Sequence, residues 1–280
     1  MKFIKNTPKI WIKKFPWKKK SSNKYSRGRV LILGGQKHMI GATILAAEAC
    51  LRVGVGSVKI ICTKETIKTL SLKFPSVLKV EINNISYLKS FLKKERKTTS
   101  VALVGPGAGS NSKTMKFTEE ILKQIKYVIL DADALNSFQH KTQKLLKYLD
   151  KFKLITPHKK EFHRLFPSIK TNLEDKDKVL KFIKLCKSNI LLKGNTTFIG
   201  SNKKIIKNTH SSSELAVIGS GDVLAGIIAS LVGDNKMSII EAAAAAAWLH
   251  GDIARKYGKG LISEDLIKGI QPGLNRLAKI

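Results

Sequence analysis

Arginine is scarce in this chain. Of its 52 basic residues only Arg27, Arg29, Arg52, Arg96, Arg164, Arg255 and Arg276 are arginine; the rest are lysines spread from one end to the other. Proteins that read base edges and phosphates favour the bidentate guanidinium fork, whereas scattered lysine is what general compositional drift produces. The formal charge of +32 is therefore read as drift, and nucleic acid is not the expected partner. Cysteine is also rare: Cys50, Cys62 and Cys186 are odd in number and sit among apolar neighbours. That excludes a disulfide framework and a thiolate metal site, and fits buried thiols in a reducing compartment. The opening MKFIKNTPKIWIKKFPWKKK lacks the continuous apolar core of a signal peptide. No apolar run approaches the ~20 residues of a spanning helix; the longest is broken by Glu241 and by Trp248-Leu249-His250. A soluble, cytoplasmic protein without membrane contact is expected. Two nucleotide signatures are missing as well, the Gly-x-x-x-x-Gly-Lys-Ser/Thr of a P-loop and the Gly-x-Gly-x-x-Gly of a dinucleotide fold.

What is present is an alternation of strands and helices. With 280 residues and 43% hydrophobic content, the chain can bury a large core, and one α/β domain over residues 28–280 is expected behind a basic arm, residues 1–27. Trp11, Phe15 and Trp17 in that arm could lie on a membrane or stack on single strands; an arm pinned across the domain is the default reading. Strands are expected at Arg29–Leu33, Ser57–Cys62, Val101–Val104, Tyr127–Leu130, Phe152–Ile155 and Asn189–Leu192, with a weaker one near Val77–Ile82. The spacing predicts intervening helices, a hairpin over Thr197–Ile199 and Lys204–Ile206, a helix over Ile239–Tyr257 and a last helix from Ser263 to about Ile270.

The most informative stretch is Ile218-Gly219-Ser220-Gly221-Asp222-Val223-Leu224-Ala225-Gly226. A glycine turn here opens a helix, and the unpaired N–H groups and positive dipole end of such a helix favour an anion, most often phosphate. Gly219, Ser220 and Gly221 are the candidate anion hole. Asp222 is either the N-terminal cap of that helix or a base aimed at a hydroxyl beside the bound phosphate. Strand ends elsewhere carry Gly105-Pro106-Gly107-Ala108-Gly109, Asp131-Ala132-Asp133 and Thr156-Pro157-His158. Each has a plain reading as a turn or cap, but three in succession at the ends of parallel strands mark the crevice where α/β sheets bind ligands.

Taken in order, these segments are similar to the NAD(P)H-hydrate dehydratase family, carbohydrate-kinase-related enzymes of the ribokinase-like fold. The resemblance runs from Tyr25 to about Leu277. It rests on Gly34-Gly35 with Gly41-Ala42 and Leu45-Ala46-Ala47, Gly105 to Gly109, Leu130 to Asn136, Thr156-Pro157-His158 with Glu161-Phe162, Leu192 to Asn195 with Thr197, Gly219 to Asp222 with Leu224-Ala225-Gly226, and Leu249-His250-Gly251. Ile218 stands where the family usually has a small residue, and Ser211 to Glu214 where it usually has a glycine-containing turn.

The resemblance implies a mostly parallel central sheet flanked by helices on both faces, in a single domain. It implies a hydro-lyase, a lyase of nicotinamide cofactor repair, that returns the S epimer of hydrated NADH or NADPH (NADHX, NADPHX) to NADH or NADPH. ADP, or ATP, would be the co-substrate, with Mg2+ present and its protein ligands unassigned. By the same resemblance Ala42, Gly107, His158 and Asp222 would bind the hydrate, with Asp222 catalytic. Lys193, Gly194, Asn195, Thr196, Thr197 and Gly221 would hold the nucleotide. A homo-oligomer, commonly a tetramer, and a separate epimerase are implied too, since the residues ahead of Tyr25 are too few for the epimerase domain often fused in this family. Two rival readings are a ribokinase-like kinase of a small alcohol such as a vitamin precursor, and a basic nucleic-acid-binding protein on a retired enzyme scaffold. Thr156-Pro157-His158 and Gly105-Pro106-Gly107 favour the dehydratase.

Overall fold

Alternation along the strand Arg29–Leu33 sets the architecture: Val30 and Ile32 turn to one side, Leu31 and Leu33 to the other, and all four are buried. A strand apolar on both faces needs helices on both, which is the environment of a parallel sheet. The computed structural model describes residues 2–280. In chain order its first half runs β1 (Lys2–Lys5), β2 (Arg29–Leu33), α1 (Ile40–Val53), β3 (Ser57–Cys62), α2 (Lys64–Lys73), β4 (Leu78–Glu81), α3 (Ile85–Glu95), β5 (Val101–Val104), α4 (Ser112–Gln124), β6 (Val128–Leu130), α5 (Ala132–Asn136) and α6 (Thr142–Leu146). The second half runs β7 (Lys153–Ile155), α7 (Lys159–Leu165), α8 (Asp175–Cys186), β8 (Asn189–Leu192), β9 (Thr197–Gly200), β10 (Lys204–Asn208), α9 (Ser220–Gly233), α10 (Ile239–Tyr257) and α11 (Ser263–Leu277).

The strands form one sheet in the order β1-β10-β9-β8-β7-β6-β5-β2-β3-β4, parallel throughout except that β9 is antiparallel to both its neighbours. Helices α1, α9, α10 and α11 bury one face and α3, α4, α7 and α8 the other. The chain adds β3 and β4 on one side of β2, then returns to place β5 on its other side. This reversal opens a crevice beyond the carboxyl ends of β2 and β5, the position at which open α/β sheets take ligands. The glycine-rich loops after both strands meet there: the Gln36 N–H donates to the Gly107 carbonyl at 2.8 Å. The Thr43 hydroxyl ties them further, accepting from the Gly35 N–H at 2.6 Å and donating to the Pro106 carbonyl at 2.7 Å.

Helix α9 approaches α1 closely because Gly226 faces the Ala46 carbonyl and Ala49 without a side chain of its own. Cys50 is buried in the same contact, its thiol directed at the Gly226 carbonyl, and all three cysteines are free. Two features depart from the expected elements. Lys2–Lys5 is a strand, paired in parallel with Lys204–Lys207 at the sheet edge, and Trp11 behind it is only 1% exposed. The last helix continues through Pro272 to Leu277. Pro272 and Lys268, whose carbonyl loses its helical donor, both face solvent, while Ile270, Gly273 and Leu277 hold the inner face in place. No helix among the described residues is long and apolar enough to cross a membrane.

Candidate active site

The site grows from four strand ends and one helix start. At the end of β6, Asp131 is buried, and its Oδ1 accepts from the Thr156 hydroxyl at 2.7 Å and from Lys193 Nζ at 2.8 Å. Thr156 ends β7 and Lys193 ends β8, so three neighbouring strands converge on one carboxylate oxygen. Gly105 makes this possible. Its φ of +130° belongs to glycine, and a side chain there would collide with the Asp131 backbone carbonyl. Two residues along, Asp133 accepts from the Gly109 N–H at 2.9 Å, joining this cluster to the crevice loop.

His158 caps α7. Its Nδ1 accepts from the Glu161 N–H at 3.3 Å while Glu161 accepts from the His158 N–H at 2.9 Å. Since Nδ1 accepts, the neutral ring carries its proton on Nε2. Burial lowers the His158 pKa, opposed by the Glu161 carboxylate, so the ring is neutral at pH 7. Lys193 lies alongside in a bridge to His158. Burial works against the Lys193 charge, but the carboxylates of Asp131, Glu161 and Asp222 hold its pKa above the ordinary lysine value.

Asp222 is not the cap of α9. Gly219 occupies the cap position with φ +88°, and Asp222 is the third helical residue, with no capping hydrogen bond from its side chain. Burial, and then repulsion from Asp131, push its carboxyl up from 3.8 to about 7, against the pull of Lys193. A carboxyl that changes charge at neutral pH, next to a lysine and at the positive end of a helix, is equipped to take a proton.

Beside it lies a cavity of about 630 Å³, lined by His158, Lys193, Gly194, Asn195, Thr197, Ser220 and Gly221 among others. Six of the residues expected to hold nucleotide or anion therefore face one space. Thr196 belongs to the same turn without lining the cavity, and Gly219 stands behind it against Leu45 and Ser263. Ala42 and Gly107 lie at the crevice instead, where Gly107 abuts Met39 and Thr43. Asp222 follows the cavity-lining Gly221, and the charges of Asp131, Lys193, Asp133 and Glu161 all act on its carboxyl. Ile218 leaves the cavity open, since its side chain is 99% exposed at the rim.

His250 on α10 had no expected role. It lines the cavity beside Ala247 and Leu224; its ring is buried, and its Nε2 has no hydrogen-bond partner. Burial drives its pKa down to about 4. The Leu249-His250-Gly251 tripeptide is the only trace of this in the sequence, and the ring's direction comes from the packing of α10 against α9.

A family model described as NAD(P)H-hydrate dehydratase matches residues 30–271. The chain belongs to that family. Among curated dehydratases of the family, the ADP-dependent (S)-NAD(P)H-hydrate dehydratase of Neisseria meningitidis serogroup B is 29% identical over 279 residues, covering 95% of this chain and 91% of that one. The bifunctional NAD(P)H-hydrate repair enzyme of Dictyoglomus turgidum is 29% identical over 267 residues, 89% of this chain. The chain spans about half of that bifunctional relative, 51% of its length. Among solved structures, a ribokinase-like superfamily protein from Enterococcus faecalis superposes with TM-score 0.87 at 24% identity, covering 99% of this chain and 97% of that one. The ADP/ATP-dependent NAD(P)H-hydrate dehydratase of Bacillus subtilis, co-crystallised with ATP and Mg2+, gives 0.81 at 22% identity, with 98% of each chain covered. These likenesses place the fold among ribokinase-like proteins.

Proposed function

We propose that this chain dehydrates the S epimer of hydrated NADH and NADPH, using an adenine nucleotide as phosphoryl donor. The observation that carries the reading is Asp222, a half-buried carboxyl with its pKa raised to about 7, one residue past the cavity-lining Gly221 and under the charges of Lys193 and Asp131. Hydroxide is a poor leaving group. Asp222 accepts the proton of the hydrate hydroxyl, whose oxygen bonds to the terminal phosphorus of ADP as AMP leaves. Phosphate then departs with the neighbouring ring proton, and the ring double bond returns. The N–H of Gly221 and the Lys193 ammonium stabilise the charge on the transferred group, the Ser220 N–H being already given to the Val217 carbonyl at 3.3 Å and Gly219 standing behind the cavity.

The hydrate lies along Ala42 and Gly107 with the His158 Nε2–H as a donor, while Gly194 to Thr197 and His250 contact the nucleotide. Magnesium bound with the nucleotide would neutralise charge on the phosphates, with Asp131 and Glu161 as the carboxylates at hand. A homo-tetramer and an epimerase companion complete the reading. A kinase of a small alcohol would use the same base, but nothing in the site favours it.

The test is return of reduced-nicotinamide absorbance when the purified protein meets hydrated NADH and Mg2+ with ADP, with ATP, or with neither. Recovery that requires a nucleotide supports the reading and identifies the donor; no recovery with either nucleotide from folded protein overturns it.

A further inference from the structure

The basic arm reaches the nucleotide cavity through a chain of buried side chains. Trp11 Nε1 donates to Asn6 Oδ1 at 3.0 Å, Asn6 Nδ2 donates to Asn208 Oδ1 at 2.8 Å, and Asn208 Nδ2 donates to the His210 carbonyl at 3.3 Å. Asn6 Nδ2 also donates to the Ala244 carbonyl of α10 at 2.8 Å. Asn6 is 3% exposed and Asn208 2%, and Asn208 lines the cavity.

The direction of this chain is fixed at its source. An indole N–H can only donate, so Asn6 must present its oxygen to Trp11 and its amino group to Asn208. Asn208 must then turn its oxygen toward Asn6. Neither amide can flip without setting donor against donor in a buried place, which costs the full desolvation of both groups. One N–H and one carbonyl lone pair of Asn208 remain, in fixed order, for a ligand. They sit near the apolar part of the cavity, since Ala244 and Ala247 belong to one stretch of α10. A planar base fits such a wall, and an asparagine amide of set orientation matches the adjacent donor and acceptor of adenine, N6–H and N7.

We propose that the N-terminal arm, through Trp11 and Asn6, orients the Asn208 amide and so makes the nucleotide cavity select adenine over guanine. This rests on the reading of the cavity as a nucleotide site. Asn6 and Trp11 are positioning residues; Asn208 is the one that meets the base.

The experiment is calorimetric binding of ADP and of GDP, with Mg2+, to the full chain and to Asn6→Ala, Trp11→Phe and Lys14→Ala. Wild type binds ADP at least tenfold more tightly than GDP, the discrimination of about one misdirected hydrogen-bond pair. Trp11→Phe keeps one aromatic ring and removes the five-membered ring together with the N–H that sets the order, so its folding is checked by circular dichroism before the ratio is read. Asn6→Ala and Trp11→Phe both lose most of the ADP-over-GDP ratio, chiefly by weaker ADP binding. Lys14→Ala breaks the arm's ion pair with Glu241 of α10 and leaves the ratio unchanged. An unaltered ratio in folded Trp11→Phe, or an equal loss in Lys14→Ala, overturns the inference while the functional reading stands. Failure of wild type to bind ADP overturns both.

Discussion

Lys193 Nζ stands 2.8 Å from Asp131 Oδ1, with the lysine side chain 20% exposed and that of the aspartate 2%. Losing one partner leaves the other as a buried charge without compensation. Lys193→Met is expected to cost about 3 kcal/mol in urea unfolding, and Asp131→Asn in the same chain to restore most of it. A double variant no more stable than the single one would show that the pair does not act as a unit.

Asp222 yields a prediction in pH. Its folded pKa is about 7 against 3.8 in the unfolded chain, so between those values the folded state holds a proton that the unfolded state has released. Folding stability therefore falls as pH rises through that window, and the ionised carboxylate opposes folding above it. Asp222→Asn is expected to raise stability by ~2 kcal/mol at pH 8 and to change little at pH 3.5. Under the proposed role of Asp222 as the base, activity behaves oppositely, since that base must be ionised: kcat/KM is expected to fall as pH drops below about 7. Lys193 lowers the Asp222 pKa, so any residual activity of Lys193→Met has its acid limb moved to higher pH.

His250 is neutral and buried, its pKa brought from 6.5 to about 4. As pH falls through that interval the unfolded chain gains a proton that the folded chain does not take up, so stability is lost toward acid. His250→Leu is expected to flatten the fall in urea midpoint between pH 6.5 and pH 4. It also weakens ADP binding, by about tenfold, since Nε2 has no partner inside the protein. Unchanged ADP affinity would remove His250 from the nucleotide site.

Gly219 gives a backbone prediction. At φ +88°, an added Cβ would lie 2.5 Å from Leu45 Cδ1 and 3.0 Å from Ser263 Oγ. Gly219→Ala is expected to destabilise by ~2 kcal/mol and to tilt the first turn of α9, raising the KM for nucleotide. Denaturant titration and a nucleotide saturation curve check the two parts separately.

The strands and long helices were legible because buried parallel strands are apolar on both faces and the loops carry glycine and proline. Gly219-Ser220-Gly221-Asp222 and the order of the strand-end segments pointed to the site. Other features had no local signal. Lys2–Lys5 carries lysine at both ends, and its strand comes from pairing with β10. Asn6 and Asn208 are 202 positions apart, and only the fold brings their amides together. His250 sits in an alanine-rich helix where its direction depends on the crossing of α9 and α10. Pro272 reads as a helix end, but the packing of Gly273 and Leu277 carries α11 past it.

If Asp222 starts a phosphorylation whose product is discharged by elimination, as proposed, two products must appear together. One reaction followed in two channels tests it: reduced nicotinamide regained from the S hydrate of NADH, and inorganic phosphate released from ADP, for wild type and Asp222→Asn. Equal amounts of both are expected from wild type and neither from a folded Asp222→Asn. ADP consumed without phosphate release, or an Asp222→Asn variant as active as wild type, would contradict it.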